Sequence, residues 1–115
     1  MARRRDVTLV QDILEAIDRI SRYTAGLSYT VFVDDTLIQD AVVRNLEIIG
    51  EAVKALSPDF RKKRKNVRWQ DIAGMRDRLI HDYAGVNWEI VWDVVQTKLP
   101  ELKALLVTLI GGGKG

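Results

Sequence analysis

The run Met75-Arg76-Asp77-Arg78-Leu79-Ile80-His81-Asp82-Tyr83 holds the only histidine of the chain, with two arginines, two aspartates and a tyrosine. Imidazole titrates near neutral pH and serves as general base or acid, while guanidinium stays charged and clamps phosphate through paired hydrogen bonds. His81 and Arg76 therefore suit cleavage of an RNA phosphodiester. His81 would take the 2′-hydroxyl proton or protonate the leaving oxygen, and Arg76 would stabilise charge developing at phosphorus. Five positions on a continuous helix separate the two by about 140°, so they do not simply share a face. The helix ends or distorts between them, the arginine bends round, or two subunits each supply one group. The competing reading is structural, since a lone histidine near an arginine is commonly a surface or hydrogen-bonded residue. Tyr83 divides similarly between a hydroxyl that reaches the same cleft, or is open to modification, and an ordinary half-buried aromatic.

Other chemistries find little support. Cys is absent, and one histidine among scattered carboxylates has no zinc-ligand spacing, so the expected metal and cofactor are none. The one glycine cluster is terminal and precedes no helix, which excludes a phosphate-binding loop of the usual kind.

The elements that must position these residues are helices. Val10, Ile13, Leu14, Ile17 and Ile20 recur at three and four, predicting a helix from Asp6 to about Thr24. Residues 25–33 read as a loop, with Asp34 or Asp35 capping the next helix. This central helix runs from about Thr36 to Leu56 on a stripe through Ile38, Val42, Ile49, Val53 and Leu56. Asp40, Arg44, Glu47, Glu51 and Lys54 form its wet face. Asn45 interrupts the stripe, and Gly50, which costs about 1 kcal/mol of helix propensity relative to Ala, reads as a tolerated imperfection rather than a close contact. Ser57-Pro58 ends that helix. The basic run to Arg68 reads as a connection or irregular turn. A third helix starts near Val67 to Asp71, carries Ile72, Met75, Leu79 and Ile80 on one face, and stops at Ala84-Gly85. Asn87 caps a fourth, whose inward residues run from Val91 to Leu109 and which Pro100 kinks or divides. Trp69, Trp88 and Trp92 belong to core or subunit contacts. The predicted fold is all-α, an antiparallel bundle of four to five helices in a single domain over residues 1–110, with 111–115 a flexible tail. The second and fourth helices are apolar over arcs too wide for a small monomer, which points to a homodimer.

Composition fits a folded globular chain, 47% hydrophobic and 30% charged. No stretch has the length of a membrane span and the N-terminus lacks the apolar core of a signal peptide, so a cytoplasmic protein is expected. The net charge of +2 hides an asymmetry. Arg3, Arg4 and Arg5, with Arg61, Lys62, Lys63, Arg64, Lys65 and Arg68, carry nine positive charges and no acids between them. Nine basic residues then face 16 acidic ones elsewhere, a balance of −7. A basic edge of this kind attracts a polyanion such as RNA, and the plainer alternative is a solvated loop and a frayed terminus.

The pattern Arg76-x-x-x-x-His81-x-Tyr83 on the third helix of a small bundle resembles the HEPN superfamily, most closely its HepT-type toxins. The likeness extends to Asp12-Ile13-Leu14, to Leu46-Glu47-Ile48-Ile49-Gly50-Glu51-Ala52, to Gly74 through Tyr83, to Trp88-Glu89-Ile90-Val91-Trp92 and to Leu99-Pro100-Glu101-Leu102, covering roughly residues 7 to 107. The resemblance implies a homodimer whose two motifs face one cleft, acting as a metal-independent endoribonuclease toxin of a type VII-like toxin–antitoxin system. Arg76 and His81 would be catalytic, with Asp77, Arg78 and Asp82 supporting the motif. The implied partner is a minimal nucleotidyltransferase antitoxin, which attaches adenylate from ATP to Tyr83 and silences the enzyme by placing phosphate beside His81. One position departs from the pattern. The residue after the motif arginine is often Asn in the superfamily and is Asp77 here; a carboxylate repels phosphate yet is placed to orient Arg76 or His81. That leaves room for a non-catalytic module that binds the nucleotidyltransferase.

Overall fold

The first helix, α1 (Arg4–Thr24), buries Val10, Ile13, Ala16, Ile17 and Ile20 along the predicted stripe. It stops where Gly26 takes a φ of 76°, the left-handed conformation that glycine alone adopts without penalty, and Leu27 N–H donates to the Thr24 carbonyl at 3.1 Å. The computed structural model describes residues 4–81 and 85–111, with only the backbone described for Ile80, His81 and Gly111. Asp82, Tyr83, Ala84, Arg3 and the end of the glycine tail lie outside the described residues.

The expected loop at 25–33 is in part a helix, α2 (Tyr29–Asp34). Its β-branched and aromatic residues argue against helix on propensity alone. Tertiary contacts override that preference. Ser28 Oγ accepts from Val31 N–H at 3.3 Å, Phe32 is fully buried, and the Gln39 side-chain amide donates to the Phe32 and Val33 carbonyls at 3.1 and 2.8 Å. The Phe32 ring sits 5.8 Å from Trp88 and 5.0 Å from Trp92, which fixes α2 against the C-terminal third of the chain.

Asp35 then caps α3 (Thr36–Ala55) by accepting from Ile38 N–H at 3.1 Å. This helix lies between α1 and the later α5 (Trp69–His81), packing on both. Burial on two sides explains why Gln39 and Asn45 are inside as well as the apolar stripe. Asn45 is satisfied there: its side chain accepts from Arg19 Nε at 2.7 Å and donates to the Ala41 carbonyl at 2.9 Å.

The basic run is not wholly a loop. Ser57 caps a short helix, α4 (Pro58–Lys62), with Pro58 in the first turn, where its missing N–H costs nothing. Phe60 is buried against Trp69, whose indole N–H donates to the Arg64 carbonyl at 3.0 Å. The carboxylate of Asp6, only 2% exposed, accepts from both the N–H and the hydroxyl of Ser57, at 2.9 and 2.7 Å. That pair ties the first turn of α1 to the α3–α4 corner.

Asn87 caps α6 (Trp88–Asp93), accepting from Glu89 and Ile90 N–H groups at 3.0 and 3.3 Å. Next comes a π-helical turn, Val94–Lys98, and then α7 (Leu99–Gly111), held to α1 by Lys103 and Asp18 at 3.0 Å. Pro100 has no N–H to give and its ring crowds the preceding turn. The chain accommodates this by widening to π geometry just before it, so the helix is divided as expected but not broken. The described residues contain no strand, and the all-α bundle stands. It has more segments than four or five because two connections fold into short helices of their own and the last helix divides. Among the described residues no helix is long and apolar enough to cross a membrane.

Candidate functional site

Arg76 leaves α5 on the side that faces α3, and the two helices touch closely there. A Cβ built on Gly50 would collide with Cβ of Arg76, lie 2.7 Å from its Cγ and 3.4 Å from its Cα. Gly50 is therefore a required close contact, not a tolerated imperfection. Only the absent side chain lets the arginine stem lie across α3.

That placement fixes the guanidinium between two carboxylates. Nη1 donates to Asp77 Oδ1 at 3.3 Å and Nη2 to Glu51 Oε2 at 3.5 Å, while Lys54 Nζ donates to the same Asp77 oxygen at 2.9 Å. The Lys54 ammonium first, and the Arg76 guanidinium second, hold the Asp77 carboxyl below the usual carboxylate range. Asp77 is thus ionised at neutral pH and bridges the two cations. Glu51 is a looser partner, with its side chain 68% exposed against 24% for Arg76. Nε of Arg76 is buried and makes no hydrogen bond. The polar face of α3, expected to be simply wet, instead supplies the partners of the motif arginine.

The other predicted residues are more scattered. His81 is the last helical residue of α5, one end of the segment that carries Arg76. Asp82 and Tyr83 lie beyond the described residues. Arg78 is exposed and lines a different hollow, about 520 Å³ between α5 and the α6–α7 arm, with Ile72, Met75, Ile90, Val94 and Leu102. The structure brings Asp77 to Arg76 but not Arg78.

In the basic run, Arg64 is largely structural, its guanidinium carbon 4.0 Å above the Phe60 ring and Nη1 donating to the Phe60 carbonyl at 3.3 Å. Lys63 pairs with Asp59 at 3.3 Å and Arg68 with Asp71 at 2.7 Å, both exposed pairs of the kind that hold weakly. Lys62 and Lys65 are exposed, and Arg61 is half-buried. Among the described residues no group of three or more His, Cys, Asp or Glu side chains is gathered to hold a metal ion. Gly50, Glu51 and Lys54 are the site residues that sequence reasoning missed. The available signal was Gly50 itself, a poor helix former followed at once by an acid and, four residues on, by a base.

Comparison with known proteins identifies the family. Residues 13–109 match the family described as Ribonuclease HepT-like. A candidate RNase from Caldanaerobacter subterraneus subsp. tengcongensis is 46% identical over 94 residues, covering 82% of this chain and 84% of its own. One from Methanocaldococcus jannaschii is 43% identical over 101 residues, 87% of this chain and 84% of its own. A protein named as a probable ribonuclease HepT from Thermococcus cleftensis is 42% identical over 94 residues, 82% and 86% respectively. No solved structure matches the chain. The span matched and the identity of these relatives place the chain in the HepT-like ribonuclease family.

Proposed function

We propose that this chain is an endoribonuclease that cuts RNA without a metal ion and acts as the toxin of a two-component system with a minimal nucleotidyltransferase. The observation that carries the reading is Arg76, seated on Gly50 at the α3–α5 contact in a chain of the HepT-like family. In the reaction the ribose 2′-oxygen loses its proton to His81 and bonds to phosphorus, and the bond from phosphorus to the 5′-oxygen breaks. That oxygen leaves with the proton that His81 took up, returned by the imidazolium directly or through water, producing a 2′,3′-cyclic phosphate and a 5′-hydroxyl and regenerating His81. Arg76 balances the charge on the phosphoryl oxygens, with phosphate displacing the loosely held Glu51 while Asp77 continues to orient the guanidinium. Two chains form the working unit, each supplying one motif to a common cleft. A single domain and a cytoplasmic setting complete the reading.

Purified protein in EDTA is expected to cut a single-stranded RNA and leave cyclic phosphate ends, read by end-group analysis. Intact RNA would overturn the proposal. It would favour instead a non-catalytic module that docks the nucleotidyltransferase, a reading supported by the two carboxylates already on Arg76.

Tyr83, two residues past His81, is the proposed site of silencing by adenylate. Incubation with the partner nucleotidyltransferase and ATP should add adenylate to the intact mass of the wild-type chain and not to Tyr83→Phe. Equal addition to both would refute the assigned residue.

A further inference from the structure

We infer that Lys54, Arg5 and Arg61 form a phosphate-binding track that carries the RNA backbone from Arg76 to the basic run at 65–68, an inference that rests on the ribonuclease reading. Three elements converge at the α3–α4 corner: Arg5 from α1, Lys54 from α3 and Arg61 from α4 surround a hollow of about 440 Å³. Its wall also includes Asp6 and Ser57, whose mutual hydrogen bonds bring α1 to this corner and leave the three cations as the dominant charge around it.

Residues of the hollow's wall link it to the site on one side and to a second hollow on the other. Lys54 lines it and also donates to Asp77, the carboxylate shared with Arg76. On the far side Arg61 is a wall of a second hollow, about 390 Å³, whose other basic residues are Lys65 and Arg68, the latter in its weak, exposed pair with Asp71. Arg76 and Arg61 each bury an Nε that makes no hydrogen bond, so both guanidinium stems are held in the protein surface. The succession Arg76, Lys54, Arg5, Arg61, Lys65, Arg68 joins residues from α1, α3, α4, α5 and the loop between the last two. A single anion needs one such cation. A row of them fits a chain of phosphates, and a single strand crossing it releases counterions in proportion to the contacts made.

The test is the salt dependence of binding to a fully 2′-O-methylated RNA oligonucleotide, which lacks the attacking hydroxyl and cannot be cut. Arg5→Gln, Lys54→Gln and Arg61→Gln should each weaken binding and lower the slope of log affinity against log salt by about 0.7, the value of one single-strand phosphate contact. Arg5→Lys and Lys54→Arg should restore the slope, which a merely structural role would not predict. Lys103→Gln removes the same charge from the pair with Asp18 and should leave the slope unchanged. Slopes that fall no further in the three variants than in Lys103→Gln would overturn the track, as would wild-type protein that does not bind the oligonucleotide. Polyglutamate that displaces the RNA as effectively as unlabelled RNA of equal charge would also overturn it, in favour of an acidic protein surface. Failure of wild-type protein to cut unmodified RNA while the slopes fall as expected would refute the ribonuclease reading and leave the track standing.

Discussion

Alanine in place of His81 is expected to lower RNA cleavage in EDTA by about 10²- to 10⁴-fold. The imidazole is the only side chain in the sequence that exchanges a proton near neutral pH without a large perturbation. The nearest alternatives on α5 do not replace it. Asp77 is held ionised by Lys54 and Arg76, so it is a poor base, and the arginines do not lose their protons. On the proposed mechanism, removing His81 removes proton transfer and leaves Arg76 able to bind phosphate. Single-turnover cleavage at saturating enzyme separates the two, because the variant should retain affinity for RNA and lose the chemical step. Cleavage at the wild-type rate would show that the reaction uses another group, and the catalytic assignment would be abandoned.

The second large effect is expected at Gly50. Gly50→Ala gains about 1 kcal/mol of helix propensity but drives a methyl group into the stem of the Arg76 side chain, an overpacking of about 1–3 kcal/mol. The collision involves Cβ and Cγ of Arg76, the fixed root of the side chain and not its free end, so α3 and α5 must shift apart. The net is a loss of up to about 2 kcal/mol, which for a chain of this size lowers the melting temperature by up to roughly 10 °C. Displacing the arginine by a fraction of an ångström to an ångström should also cost cleavage roughly tenfold or more. Gly74→Ala is the matched control. It adds a methyl to α5 where nothing lies within 4 Å, and should be neutral or slightly stabilising by calorimetry and leave cleavage intact. Equal melting temperatures and rates for Gly50→Ala and wild type would show that the helix contact is looser than described.

Much of this architecture is legible in the sequence because the signals are local. The stripe from Val10 to Ile20, the Asn87 cap and the stop at Ser57-Pro58 are each decided by residues within a few positions of one another. The reading fails where distant residues decide. Tyr29 to Val33 looks unlike a helix until Trp88 and Trp92 stand beside Phe32, more than fifty residues away in sequence. Gly50 looks like a flaw until Arg76 is laid over it. Glu51 and Lys54 look like solvated charges until α5 brings up its own pair. In the candidate site, the residue types proposed to do the chemistry, Arg76 and His81, are visible in the sequence. The environment of Arg76 depends on α3, which no spacing along α5 encodes.

The Asp6–Ser57 contact bears on the order in which the molecule can be made. The two residues are 51 positions apart, so the first turn of α1 emerges from the ribosome long before its partner exists. Until Ser57 emerges, the Asp6 carboxylate lacks the two hydrogen bonds that tie the start of α1 to the α3–α4 corner. Arg5 sits in that same turn and Arg76 comes later still. A chain still being made consequently lacks the contact that brings Arg5 to the α3–α4 corner beside Lys54 until Ser57 has emerged.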